Sequence, residues 1–469
     1  MGHDAMTAGR PKRRRLLLLG PAPPPWHGMA VGLATLLGSP ALGRQFRLRH
    51  VNLNFEGRGR WGRVAGTLRA LVQAAREMLL GRPDLVYLSL TRSRLGCLKD
   101  CALLAMAAAV GARPVVTVRG GDLGVFFASC GPCLRRLVRW AYGRAARAIA
   151  LGPSLAGQYA GLVPAERVRI VWNAYPGHEI GEGRPQDLQA PSPHPSPARG
   201  EGGVAPSPRP SPTGGEGETV FRPLARRPRR PAEPLRLLFL SNVLPSKGLF
   251  EALEGAALAR ARGVPIRFTF AGAFQDRDGA LAKVPGLASE NVGKAALAAR
   301  FEATLDALGL RDVVRHVGTV EGRAKWDLLA ASDVLVLPIW NPTEGQPLAI
   351  IEAMRAGCAV VTTAAGGVRD LVADGQTGRV VAPRSAQAVA EAIEWLWRRP
   401  ADLDRIARAN AARARRRHSP EAHVEGIVRV LREALRDGAA RRAAKREASG
   451  ALGWAAADAF KRWDKGEAA

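Results

Sequence analysis

The 469-residue chain predicts an α/β protein built of two doubly wound parallel-sheet domains. Short β-rich apolar runs alternate with longer amphipathic stretches, which is the pattern of βαβ units. The alternation occurs twice, before and after a low-complexity stretch at 181–233. Runs such as Val334-Leu335-Val336-Leu337 are apolar at every position, as suits strands covered on both faces.

In the first domain, 14–180, strands are expected at 15–20, 46–54, 84–90, 114–119, 146–151 and 168–172, with helical stretches such as 64–80 between them. In the second, 234–419, they are expected at 236–241, 266–271, 313–317, 333–338, 359–363 and 378–382. Residues 1–13 read as a disordered N-terminus. Within 181–233, two nearly repeated segments, PSPHPSPARGEGG and PSPRPSPTGGEGE, cannot bury a core and read as a disordered linker insertion. Residues 420–469 read as a charged helical extension that packs across the first domain.

Lys and Arg number 69 against 41 Asp and Glu, a net charge of +28. The first 180 residues hold 26 of those bases and only 8 acids. Such a surplus suits phosphate substrates or anionic lipid headgroups. No zinc-finger spacing, basic zipper or aromatic RNA-binding signature accompanies it, so nucleic acid is not expected as a partner. The bland reading of the surplus is solvated arginine.

The basic run Lys12–Arg15 followed by Leu16–Leu19 imitates a signal peptide, but its apolar part stops at Gly20 and meets prolines. A cytoplasmic protein is expected, with docking on the inner membrane face an option that the basic domain opens. Five cysteines do not make a disulfide scaffold. Cys130-Gly131-Pro132-Cys133 has redox-motif spacing without the preceding Trp, and reads as a turn before a helix at 134–142. A zinc site with Cys97 and Cys101 is the minor reading.

The strongest signal is the run from Glu344 to Met354, EGQPLAIIEAM, directly after the strand at 333–338. Pro347 suits a first helical turn, where its missing N–H is not needed. The helix N-terminus is then offered at the C-terminal edge of a parallel sheet, where α/β folds bind ligands and free amides favour phosphate. Taken alone, Glu344 and Glu352 read as a capping and a surface glutamate.

With Ala353–Gly357 and Thr362–Gly367, this run resembles the retaining glycosyltransferases of family 4 (glycosyltransferase group 1). Other segments agree in order: Gly20-Pro21 with Pro24–Met29, Gly120-Gly121-Asp122, Phe239–Gly248, Ala271-Gly272 and Asp333. The resemblance implies the GT-B architecture, two Rossmann-like domains facing across a cleft. A nucleotide-sugar donor would bind the second domain and a glycan or lipid-linked acceptor the first. By this resemblance Glu344 and Lys247 are the catalytic pair, with Lys247 neutralising the diphosphate leaving group. Glu352 would hold the ribose, and Asn242, Gly248, Gly272, Gly345, Gln346 and Leu348 complete the donor site. Gly28, Met29, Arg119, Gly120, Gly121 and Asp122 form the acceptor or phosphate loops. The nucleotide sugar is a co-substrate, and no cofactor or metal is expected. Asp276-Arg277-Asp278 matches an Asp-x-Asp metal motif but reads as a solvated loop.

Two positions depart from the family. Asn242 stands where an Arg is usual, and Thr117-Val118-Arg119 stands where a His is frequent. The sequence therefore supports a retaining, metal-independent enzyme of envelope or extracellular polysaccharide synthesis. The alternative is a weakly active or inactive nucleotide-sugar-binding scaffold.

Overall fold

The computed structural model describes residues 13–23, 28–53, 60–176, 233–276 and 293–438. The low-complexity linker, His27 and the tail beyond 438 lie outside them.

Six strands build the first sheet: β1 (Arg14–Gly20), β2 (Phe46–Asn52), β3 (Leu85–Ser89), β4 (Arg113–Thr117), β5 (Arg147–Ala150) and β6 (Val168–Ile170). All pair in parallel, in the order β2-β1-β3-β4-β5-β6. The helices between them are α1 (Gly28–Leu37), α2 (Pro40–Gln45), α3 (Arg60–Gly81), α4 (Arg94–Ala109), α5 (Leu123–Ala128) and α6 (Pro132–Tyr142). Strand side chains alternate between faces. Leu17, Leu19, Val86 and Leu88 meet Ala70, Ala74 and Met78 of α3, Cys97 and Cys101 of α4 and Val138 of α6. Leu16, Leu18, Leu85 and Tyr87 pack instead on Leu33 and Leu36 of α1.

The second sheet contains β7 (Leu235–Leu240), β8 (Ile266–Ala271), β9 (Val314–His316), β10 (Val334–Leu337), β11 (Ala359–Thr363) and β12 (Gly378–Val381), in the order β12-β11-β10-β7-β8-β9. Its helices are α7 (Leu249–Ala261), α8 (Lys294–Ala307), α9 (Gly322–Ala330), α10 (Leu348–Ala356), α11 (Ala386–Arg398) and α12 (Pro400–Arg417). Every residue of β10 and β11 is buried, as an all-apolar strand under helices on both faces requires. Asp333 is wholly buried and accepts from Arg236 Nε at 2.9 Å and Nη2 at 2.8 Å, which ties β10 to β7.

A last helix, α13 (420–438), returns to the first domain. Its Val424, Ile427 and Leu431 join Leu16, Leu18 and Tyr87 in one core. The two interdomain crossings bond to each other: Tyr175 N donates to His418 O at 3.0 Å, and His418 Nδ1 meets Asn173 O at 2.8 Å. Among the described residues, no helix is long and apolar enough to cross a membrane.

Candidate active site

In an open parallel sheet, ligands bind outside the carboxyl ends of the strands where the strand order reverses. In the second sheet that point lies between β7 and β10. The loop after β7 carries Lys247, and the loop after β10 carries Glu344. Trp340 N donates to Ser246 O at 3.0 Å and holds the two loops side by side. Lys247 Nζ then reaches Glu344 Oε2 at 2.7 Å, with both side chains largely shielded.

Lys247 ends a 3-10 turn, Pro245–Lys247. Gly248 follows with φ 80°, and a Cβ there would lie 2.3 Å from Pro338 O. Conformation and space thus both demand glycine between Lys247 and α7. Gly272 has φ 143°, and its Cβ would lie 1.8 Å from Ser241 O, so it keeps the loop bearing Asn242 in place. Asn242 is exposed, and among the described residues its side chain has a single long contact, 3.5 Å, from Gln275 Nε2 to its Oδ1.

Glu344 is held by its main chain as well. Its N–H donates to Asn341 O at 3.3 Å, and its carbonyl accepts from Gly367 N at 2.9 Å. Pro347 was expected inside the first helical turn. Instead it is the N-cap, with φ −62° and ψ 126°, and α10 starts at Leu348. Leu348 therefore offers one of the first amides, which have no partner within the helix. Glu352 is consequently little more than one turn into α10, and it is buried rather than on the surface. Its Oε1 accepts from Lys325 Nζ of α9 at 2.9 Å. Lys325 was not foreseen, because no local pattern links a lysine on one helix to a glutamate 27 residues later.

The first domain closes over these loops. Gly121 N donates to Thr343 O at 3.0 Å. A Cβ at Gly345 would lie 2.2 Å from Arg119 O, so the glycine admits the opposing backbone. Gln346 accepts Asn173 N on its Oε1 and Asn173 Nδ2 on its main-chain oxygen, both at 3.2 Å. Ser154 donates to Asp370 Oδ2 from its amide at 3.0 Å and from its hydroxyl at 2.7 Å. Asn173, Ser154 and Asp370 were not expected at the cleft, since only the tertiary fold brings these loops together.

Among the first-domain residues expected at the site, Asp122 is buried and ion-paired with Arg92, and Arg92 also covers Gly120. Arg92 was missed; its loop is fixed by Thr91, whose amide and hydroxyl both donate to Asp100 Oδ2 at 2.7 Å. The guanidinium of Arg119 lies away from the role expected of it. It donates to Asn173 Oδ1 at 2.5 Å, meets His423 Nε2 at 3.2 Å, and lies against Gly32 of α1. Because arginine can only donate, His423 must present a neutral Nε2, and its Nδ1–H faces Trp172 O at 2.7 Å. Burial pushes the His423 pKa down to about 3 and that of His418 to about 4. Gly28 opens α1 and is exposed, with Met29 beside it; a Cβ at Gly28 would meet nothing within 4 Å.

The cysteines are free. Cys130 Sγ donates to Phe126 O at 3.3 Å, and Pro132 opens α6, which makes this segment a turn into a helix. Among the described residues, no three His, Cys, Asp or Glu side chains are grouped to hold a metal. Asp276 Oδ1 accepts from Lys294 N at 2.9 Å, while Arg277 and Asp278 lie outside the described residues.

Residues 221–414 match the family model for glycosyl transferases group 1. A D-inositol 3-phosphate glycosyltransferase of Arthrobacter sp. is 30% identical over 207 residues, 42% of this chain and 43% of that protein. The chain thus spans less than half the length of the curated relatives it matches. The fold extends further. Sucrose-phosphate synthase from Thermosynechococcus elongatus aligns with TM-score 0.59 and 16% identity, over 90% of this chain and 99% of that one. Anabaena HepE in complex with UDP aligns with TM-score 0.58 and 16% identity, over 89% and 99%. Two parallel six-stranded sheets facing across a cleft are the GT-B fold, and residues 221–414 are similar to the glycosyl transferases group 1.

Proposed function

We propose that the protein is a glycosyltransferase that moves a sugar from a nucleotide-sugar donor to a glycan or lipid-linked acceptor with retention of configuration. Cell-envelope or extracellular polysaccharide synthesis is the setting we assign to it. The observation that carries the reading is the Lys247–Glu344 pair, 2.7 Å apart at the switch point of the second sheet and beside the start of α10.

A nucleoside diphosphate gains negative charge as it leaves. A fixed ammonium and helix-terminal amides stabilise that charge most in the transition state. Lys247 is placed to serve the diphosphate, and Leu348 to present an amide. Glu344 holds the ammonium in position until a donor arrives and can then face the sugar. Glu352, buried on α10 with Lys325, is suited to accept ribose hydroxyls. The complexes of HepE with UDP and with UDP-glucose support a nucleotide-sugar donor on this fold. Metal independence is part of the proposal, since Lys247 and the helix amides supply the positive charge.

The deciding experiment screens nucleotide sugars by thermal shift, then follows donor consumption with and without EDTA. A donor that raises the melting temperature and is turned over in EDTA supports the enzyme. A donor that binds but is never consumed, with any acceptor or with water, favours the scaffold reading that Asn242 suggests.

A further inference from the structure

We propose that the outer face of the α3–α4–α6 layer is a docking surface for an anionic lipid bilayer. The proposal deepens the lipid-linked acceptor reading on which it rests, and its test reads membrane binding without turnover, so the two can fail separately.

Helix α3 carries two apolar stripes. The inner one, Ala70, Ala74 and Met78, packs in the domain core. The outer one, Val64, Leu68, Val72 and Leu79, spans about 80° of arc at 100° per residue and faces solvent. Val72 is 70% exposed. A surface helix normally turns charged residues outward, so a second apolar stripe is unexplained by folding. Helix α4 packs between α3 and α6 and continues the face with Leu95, 77% exposed, and Leu98. Helix α6 adds Leu137 and Trp140. Of the eleven large apolar side chains exposed among the described residues, only Leu258 and Val317 lie outside these three helices. A contiguous patch of this kind marks an interaction site.

The charges select the partner. Arg69 and Arg76 flank the outer stripe of α3, Arg94 opens α4, Arg136 and Arg139 lie on α6, and Arg144 follows it. None of the six forms an ion pair among the described residues. The guanidinium of Arg144 lies over the Trp140 ring at 3.7 Å instead, an amphipathic pairing suited to the headgroup level. In the second domain the exposed Arg260 and Arg311 pair with carboxylates, whereas Arg267, Arg408 and Arg415 form no ion pair among the described residues. On this face the unpaired arginines lie beside the exposed apolar side chains. At its edge lies a recess of about 220 Å³ lined by Arg15, Arg47, Arg49, Glu77 and Leu80, in which none of the arginines has a carboxylate partner among the described residues. That recess suits an anionic headgroup. A second copy of the chain does not suit the face, because self-pairing would juxtapose unpaired arginines.

The patch also reaches the cleft. Leu95 lies in the first turn of α4, three residues after Arg92, which pairs with Asp122 at the proposed acceptor side. A bilayer on this face would bring a lipid-linked acceptor to the rim of the site.

The test uses the full chain and vesicles of phosphatidylcholine alone or mixed with phosphatidylglycerol, scored by co-sedimentation. The wild type should prefer the mixed vesicles by roughly tenfold or more, and added salt should weaken that binding. Leu68→Glu with Val72→Glu should lose roughly tenfold in binding with an unchanged melting temperature, since both positions face solvent. Should that variant fail to fold, Leu95→Gln and Arg136→Ser with Arg139→Ser make the same test on α4 and α6. Binding equal to both vesicle types, or binding untouched by the variants, overturns the proposal. So does a wild-type dimer that Leu68→Glu with Val72→Glu dissociates, because the face would then belong to a second copy.

Discussion

Lys247 and Glu344 are 97 residues apart in the chain and 2.7 Å apart in the fold. Each closes one of the two loops that flank the switch point of the second sheet, so the β7–β10 pairing is what makes them neighbours. On the proposed reading, a donor diphosphate entering here would meet an ammonium already held in place by a carboxylate.

Under the proposed function Lys247 faces charge that grows as the glycosidic bond breaks. Lys247→Ala should lower kcat by roughly 100-fold or more, as loss of an oxyanion donor does elsewhere. EDTA should leave the wild-type rate unchanged. Steady-state turnover checks both; full kcat in Lys247→Ala, or arrest by EDTA, would remove the proposed metal-free site.

Under the proposed function Glu352 holds the ribose, which is unchanged by the reaction, so Glu352→Gln should raise donor KM with less effect on kcat. The Lys325–Glu352 pair adds a stability consequence. Both side chains are nearly buried, and removing one member of such a pair costs about 3–5 kcal/mol. Lys325→Met should lower the melting temperature, and adding Glu352→Gln should recover part of the loss. Additive losses in a double-mutant cycle would mean that the pair is not coupled.

Asn242 is exposed beside the Lys247 loop, and Asn242→Arg would add a cation there. Donor Kd measured by titration should fall. A weaker Kd in a folded variant would place Asn242 away from the diphosphate.

Glycine positions separate packing from ligand contact. Gly272→Ala meets Ser241 O and Gly248→Ala meets Pro338 O, so both should lose several degrees in melting temperature. Gly28→Ala meets no protein atom within 4 Å. It should melt as the wild type does, and lose turnover only if substrate approaches that backbone.

His418 and His423 give the domain crossing a pH dependence. Their folded pKa values, about 4 and about 3, lie below the ordinary imidazole value of 6.5. The unfolded chain therefore binds more protons in acid, and stability falls as pH drops. The loss begins as pH passes below about 6.5 and continues toward the folded values, at up to about 1.4 kcal/mol per unit for each histidine. Denaturant unfolding between pH 7.5 and 5 should show this slope. Replacing both histidines by Gln should lower stability at pH 7.5 and flatten the slope; an unchanged slope would assign it to other groups.

The sequence by itself determined the strands, the two doubly wound domains and the glutamate run after β10. Those features rest on local chemistry: apolar runs are strands because both faces must be covered, and Gly248 and Pro347 act through their own backbone limits. Its local reading still set Pro347 one position too far into the helix, since whether a proline caps α10 or begins it depends on the loop that feeds it. The tertiary structure decided what contacts what. Lys325 on Glu352, Arg92 on Asp122, and Asn173 on Gln346 join residues from separate elements, and no spacing encodes such meetings. Arg119 shows the same limit from the other side. Its position after β4 suggested the cleft, but α1, Asn173 and His423 of the returning α13 give its guanidinium partners, and an arginine goes where its donors are satisfied.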